Sequence, residues 1–325
     1  VSTYYISAAS GSDVNSGLSE ALAWATVDKG MNTVAAGDKV WVKGDGDYAE
    51  LATIDTVGTV TSPIVFEGYT TTPGDGGRAT ITGSDARANC VVDSTAATTP
   101  LYYVFKNFRF TAATGTGFLT DGHRITFKNC KFDTNGLRGL HGRTLSCEAC
   151  EFTSNTSDGC WAEDSGATIV SAIFIACKFY SNGARGLLAQ SINAAVYGCI
   201  FFSNATSNCT IGGNDDKLVS VINCTFDGDA KDSDTGIIVG STGSIFAFVN
   251  LVLYDCTTGL DATPGNMGEL VISRNNLVNA NTTAYVSAAT FTGEVTSAPQ
   301  FTNEVAGADY TPAAGSPLIN AGLNG

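Results

Sequence analysis

Four stretches decide the fold. Val-Phe-Lys-Asn-Phe-Arg-Phe (104–110), Thr-Phe-Lys-Asn-Cys-Lys-Phe (126–132), Cys-Glu-Ala-Cys-Glu-Phe (147–152) and Phe-Ile-Ala-Cys-Lys-Phe (174–179) are variants of one pattern. The pattern continues through 197–201, 222–226 and 249–253 and fades at 274–278. Aligned, the copies put Phe108, Cys130, Cys150, Cys177, Cys199, Cys224 and Leu251 in one column. Phe110, Phe132, Phe152, Phe179, Phe201, Phe226 and Leu253 form a second column two residues on. Residues two apart share a face of a strand, so both columns are expected inside. The steps between copies run from 20 to 27 residues. Self-similarity at that period is the signature of stacked repeats, with the length variation absorbed in the turns.

Working outward, an Asn-rich column follows three residues later at Asn135, Asn155, Asn182 and Asn204, with Asp229 after it. Asn tolerates the left-handed backbone conformation and bonds its own main chain, so this column reads as a turn. A second strand then opens with Gly117, Gly139, Gly159, Gly186, Gly236 or Gly259. Its inward column is Phe118, Leu140, Cys160, Leu187, Cys209, Ile237 and Leu260. The expectation is an all-β, single-stranded right-handed parallel β-helix of about ten coils. Cap and first coils would occupy 1–60, coils 61–290, and the last coil with its cap 291–325, as one continuous domain. An open solenoid must cover its ends. Leu22, Trp24, Val27, Met31 and Val34 recur at helical spacing, which predicts a short capping helix within 20–35.

Composition agrees. The chain of 325 residues is 43% hydrophobic and only 15% charged, which excludes a disordered chain. The formal charge of −14, spread without long runs, opposes nucleic acid and anionic membranes as partners. No apolar run reaches the roughly 18 residues of a membrane span, so no membrane insertion is expected. The start at Val1 fits a removed leader and an extracellular or surface-associated protein. The ten cysteines fall mostly in the inward columns, where they read as stacked thiols, although adjacent coils leave a bridge such as Cys199 to Cys224 open. Cys147 and Cys150 look like half a zinc motif, but no second pair accompanies them and His123 and His141 are the only histidines. No metal ligand set is expected. Five Asn-x-Ser/Thr sequons begin at Asn155, Asn204, Asn208, Asn223 and Asn281.

Both ends carry a resemblance. Tyr4-Tyr5-Ile6-Ser7, Gly11-Ser12-Asp13, Trp24-Ala25-Thr26 and Ala36-Gly37-Asp38-Lys39-Val40-Trp41-Val42 resemble the opening of secreted pectate-lyase-like right-handed β-helix proteins. Asp309-Tyr310-Thr311, followed by the run from Gly315 to Gly322, is similar to the ending of many such chains. The resemblance specifies a fold whose members include lyases, hydrolases, epimerases, viral tailspikes and non-catalytic surface proteins. In relatives acting on polysaccharide it implies a groove on the outer face of the strand after the Asn turn. Alternation puts Leu119, His141, Trp161, Leu188, Thr210, Ile238 and Asp261 on that face, with Asp121, Arg143, Glu163, Gln190, Gly212 and Gly240 two residues further. His141, Arg143, Glu163 and Asp164 are the catalytic candidates beside Trp161, a set that would suit a glycan with uronic acid groups. The calcium site and matched base of such lyases are not evident; calcium is not indicated by a motif, and no cofactor is expected. Asn214-Asp215-Asp216 and Gly142 after His141 resemble fragments of pectinase-like motifs in the wrong order.

Leu119, His141, Trp161, Leu188 and Ile238 also read as a contact surface for another copy or for polysaccharide, because an apolar outer stripe is not favoured by water alone. Three functions follow from these observations. The foremost is a structural or adhesive surface protein, with self-assembly as one form of that role; the alternatives are a polysaccharide lyase or glycoside hydrolase and a non-catalytic glycan-binding module.

Overall fold

The computed structural model describes residues 1–93, 95, 99–121, 123–164, 171–213, 217–228, 235–241, 244–262, 270–274, 276–279, 281–286, 297–303, 309–314 and 316. The chain forms two compact units, Val1–Thr156 and Ser157–Gly325. Each is a parallel β-helix whose coils contribute one strand to each of three sheets.

In the first unit the first sheet runs Thr3–Ser7, Lys39–Lys43, Ile64–Tyr69, Pro100–Lys106, His123–Lys128 and Leu145–Glu148. The second sheet contains Phe108–Thr111, Lys131–Asp133 and Glu151–Thr153, and the third contains Thr116–Leu119 and Leu140–Gly142. In the second unit the first sheet is Ser171–Ile175, Asn193–Tyr197, Leu218–Ile222, Ile245–Val249 and Leu270–Arg274. Its second sheet includes Lys178–Tyr180, Ile200–Phe202 and Thr225–Asp227. Its third sheet runs Cys160–Glu163, Arg185–Gln190, Ser207–Gly213, Thr235–Ser241, Thr258–Asp261 and Thr283–Val286. Among the described residues four complete coils lie within the first unit and five within the second, close to the number that the repeat predicts.

The inward columns are where alternation puts them. Cys130, Cys150, Cys177, Cys199 and Cys224 are at most 1% exposed. Phe132 lies in register with Phe110 and Phe152, and Phe201 with Phe179 and Phe226. The rings stack nearly parallel, Phe132 on Phe152 at 4.9 Å and Phe179 on Phe201 at 4.6 Å between centroids. All ten cysteines are free thiols, so the bridge left open between Cys199 and Cys224 is not made. Cys147 and Cys150, the half motif, are both fully buried, Cys147 on the strand Leu145–Glu148 and Cys150 in the corner just before Glu151–Thr153.

Two details of the coil differ from the expectation. The stretch 104–110 reads as one strand but is two, broken at Asn107, whose φ is 59°. The equivalent residues Asn129, Ala149, Ala176, Gly198, Asn223 and Asn250 share that left-handed conformation. It turns the chain so that the inward residues before and after it are three apart, as with Phe105 and Phe108 or Phe127 and Cys130. At the next corner the left-handed residues are Thr134, Ser154, Ser181 and Ser203, each immediately before the Asn column. The asparagines themselves point inward and are at most 2% exposed. Asn135 Nδ2 donates to Asn155 Oδ1 at 2.9 Å, and Asn182 Nδ2 donates to Asn204 Oδ1 at 2.9 Å. Their remaining donors reach main-chain carbonyls, as Asn204 Nδ2 does at Phe179 O (3.0 Å). The column is thus a buried amide ladder, which satisfies polar groups that a bare corner would strand. The glycines opening the third-sheet strands make room for it: a Cβ at Gly186 would lie 2.6 Å from Asn208 O and 3.0 Å from Asn204 Nδ2.

The capping helix is shorter than 20–35. A 3₁₀ turn at Glu20–Leu22 and an α-helix at Val27–Met31 flank an extended segment, and Leu22 is exposed. The reason is main-chain pairing: Trp24 N donates to Tyr5 O and Ser7 N donates to Trp24 O, both at 2.9 Å, so Trp24 extends the edge of the first strand. Thr26 caps the helix by accepting from Lys29 N, and Val27, Gly30 and Met31 are buried. Phe301–Asn303 and Asp309–Pro312 form an antiparallel pair. Of the closing run only Ser316 is described; the rest of 315–322 lies outside the described residues, as do Asn214, Asp215, Asp216 and Asp229. Among the described residues no helix is long and apolar enough to cross a membrane.

Candidate functional site

The expected outer face is the solvent side of the third sheet, and each unit carries a part of it. In the first unit Leu119 is paired with His141, and both are half-buried. Phe118 and Leu140, their chain neighbours, are fully buried, which fixes Leu119 and His141 on the outward side. Arg143 is half-buried just beyond the strand, and Asp121 is exposed.

The second unit holds the longer part. One outward row is Trp161, Leu188, Thr210, Ile238 and Asp261, adjacent in register through four strand pairings. A parallel row two residues on is Glu163, Gln190, Gly212 and Gly240. Trp161, Glu163, Asp164 and Ile238 are half-buried and Gln190 is exposed. Leu188, expected on the surface, is only 5% exposed, so it is a covered side chain of the row rather than a free contact. Gly212 and Gly240 leave a shallow floor: the atom nearest to a Cβ at Gly212 would be Gly240 O at 3.6 Å. The polar side chains of the row therefore stand at one end, with Glu163 two residues beyond Trp161 on the same strand and Gln190 in register with Glu163 on the next.

At the rim, Asp158 is fully buried and accepts from Arg185 Nε at 2.7 Å and Nη2 at 3.2 Å. This two-pronged pair holds the corner before the strand Arg185–Gln190, and sequence reasoning did not single it out. A corresponding pair on the second sheet joins Arg109 to Asp133, with Nε and Nη2 at 2.8 and 2.7 Å. Among the described residues no three His, Cys, Asp or Glu side chains are grouped as a metal site needs. Beneath this face Cys160 and Cys209 are fully buried, and burial pushes the Cys209 thiol up to about 12. Of the five sequons, Asn155, Asn204 and Asn208 are buried and cannot carry a glycan; Asn223 is exposed and Asn281 half-buried.

No family model matches the sequence, and no curated protein matches it significantly. Solved structures do. Pectate lyase Pel9A superimposes with a TM-score of 0.61 at 16% identity, over 93% of this chain and 83% of its own. A rhamnogalacturonan lyase gives 0.58 at 15% identity, over 91% and 84%. XylC, solved in complex with xylose, gives 0.54 at 9% identity, over 85% and 69%. Identities this low speak to architecture alone, and at that level the chain shares the right-handed parallel β-helix fold of these structures.

Proposed function

We propose that the protein is an extracellular, surface-associated adhesive β-helix that retains polysaccharide on the outward face of its third sheet. The observation that carries this reading is the grouping of Trp161 with Glu163 and Gln190 beside the floor formed by Gly212 and Gly240. An indole face stacks on the C–H face of a sugar ring, while a carboxylate and an amide bond its hydroxyls. The glycines leave space for the neighbouring sugar units. Separately, His141 and Arg143 on the outward face of the first unit offer groups that would suit acidic sugar units. A second reading, polysaccharide cleavage, is supported by the lyases among the superimposed structures, with His141, Arg143, Glu163 and Asp164 as the groups to test.

One set of measurements separates the readings. Affinity electrophoresis through gels containing neutral or acidic polysaccharides should show retardation, weakened at least about tenfold by Trp161→Ala and less by Gln190→Ala. Retardation by no polysaccharide, or equal retardation of wild type and Trp161→Ala, would remove the proposal. Unsaturated-product absorbance or new reducing ends in the same mixtures would replace it with the cleavage reading.

A further inference from the structure

The outward face of the first sheet in the first unit runs against the charge of the whole chain. Its six strands, from Thr3–Ser7 to Leu145–Glu148, carry the cations Lys39, Lys43, Lys106, Arg124 and Lys128 and the anions Glu67 and Glu148; the side chain of His123 lies outside the described residues. Glu67 lies 3.0 Å from Lys39 and 3.6 Å from Lys106, Lys128 meets Glu148 at 2.6 Å, and Lys43 lies 3.8 Å from Asp45, just beyond its strand. Five cations therefore meet three carboxylates on a protein of net charge −14. Arg124 makes no ion pair among the described residues, and its guanidinium stands 5.6 Å from the centre of the Tyr102 ring on the neighbouring strand. Tyr102 and Arg124 both hold left-handed φ values, 52° and 68°, where the pairing of the two strands shifts register. A bulge of this kind re-aims a side chain, and bulky residues adopt that conformation only where the surroundings impose it. The exposed guanidinium is thus held in place without being neutralised. Between Arg124 and Lys128, about 13 Å apart along one strand, runs a floor of small half-buried side chains in register: Val65, Val104, Thr126 and Ser146.

We infer that this trough is a second glycan site, and that its occupant is a polysaccharide chain bearing carboxylates; this rests on the reading that the protein retains polysaccharide and adds a site on another sheet. Charge complementarity selects the occupant. Lys106 and Lys128 are in register on adjacent strands about 4.8 Å apart, so a chain lying along the coil axis advances by roughly one sugar unit per strand. Carboxylates on one edge of that chain reach the two lysines. Those on the other edge reach Arg124, whose planar fork takes a carboxylate with two hydrogen bonds. The hydroxyls of Thr126 and Ser146 on the floor bond those of the sugar rings. Nucleic acid fits this face less well. Its phosphates are densely spaced, about one per 3.4 Å of strand, so the net charge of −14 opposes it more strongly. Its bases need open rings on which to stack, and the Trp41 ring on this face is covered by the Lys39 ammonium at 3.5 Å.

Affinity electrophoresis in gels of dextran and of carboxymethyl dextran, which share a backbone and differ in their carboxylates, tests it. The wild type should be retarded by carboxymethyl dextran, and less so as salt rises. The double variant Arg124→Glu, Lys128→Glu, with an unchanged circular dichroism spectrum, should bind carboxymethyl dextran at least about tenfold more weakly, whereas Trp161→Ala should bind it as the wild type does. Migration in dextran should be the same for the wild type and the double variant. If the charge-reversed variant fails to fold, Arg124→Gln with Lys128→Gln serves, and should weaken binding at least about threefold. A folded variant retarded as the wild type is overturns the inference. So does a wild type that carboxymethyl dextran does not retard at low salt; if another polysaccharide then retards it through Trp161, the third-sheet site stands alone. A single-stranded oligonucleotide that displaces carboxymethyl dextran from the wild type at lower concentration than free carboxymethyl dextran does would assign the trough to nucleic acid and overturn the inference as well.

Discussion

At the scale of single residues, the corners explain which side chains the repeat tolerates. Ala149 and Ala176 hold φ values of 52° although neither is glycine, and both are exposed, so nothing but the backbone is at stake there. An alanine in the left-handed region is disfavoured by about 1–2 kcal/mol through the clash of its Cβ. Glycine relieves that clash but loses about 0.5–1 kcal/mol more in chain entropy. Ala176→Gly should therefore be neutral or stabilise by up to about 1 kcal/mol. Ala194→Gly, at a buried strand position, should destabilise by about 1 kcal/mol or more. Urea unfolding of the two variants checks the contrast, and equal losses would mean that the corner is not left-handed. These corners were legible in the sequence through a change of step. Inward residues are two apart within a strand and three apart across a corner, as from Phe127 to Cys130 and from Phe132 to Asn135. Averaging Phe108 and Phe110 into the strand that starts at Val104 hides the first of these steps, which is why a three-strand coil reads as a two-strand one.

At the scale of the element, a strand of this protein is defended by ladders on its inner side, not by its own length. Phe179 stacks on Phe201 and meets the edge of Phe174 at 5.7 Å, with no exposure. Phe179→Ala should cost about 3–5 kcal/mol. Leu188 faces the other way along a third-sheet strand, and alternation alone would make its truncation nearly free. At 5% exposure it is a packed side chain, and Leu188→Ala should cost about 2–3 kcal/mol. Denaturant melts in which Leu188→Ala loses under about 0.5 kcal/mol would show that the outer face is open after all. The inner columns could be read from the sequence because a solenoid repeats each environment in every coil. The state of the outer face could not, because what covers an outward residue depends on segments outside the repeat. The Asn column shows the same limit from the other side. Its periodicity was plain, yet whether the amides point outward as turn residues or inward as a ladder depends on one φ angle in the residue before them.

At the scale of the whole molecule, the three sheets divide the labour. The second sheet is lined by phenylalanine stacks, the third offers the face with Trp161, and the first changes character from ion-paired in Val1–Thr156 to uncharged at the outward positions of Ser171–Ile175, Asn193–Tyr197, Leu218–Ile222 and Ile245–Val249. The uncharged half was open to reading from the sequence, since Ile173, Ile175, Leu218 and Ile245 sit at outward positions of strands whose alternation is clear.

The cysteine columns have one consequence for the life of the molecule. Ten thiols lie buried, and burial raises Cys130 and Cys199 and pushes Cys90 up to about 11 and Cys209 up to about 12. In the folded protein they are shielded both from oxidants and from each other's attack, which requires thiolate. During unfolding, all of that protection disappears at once. The chain is therefore durable in an oxidising medium only as long as it stays folded, and each excursion becomes a race between refolding and cross-linking. Native protein should show no thiol reacting quickly with an aromatic disulfide reagent, and denatured protein should show ten. Refolding should be complete with reductant present and progressively lost in air; full recovery without reductant would show that the race is won by folding.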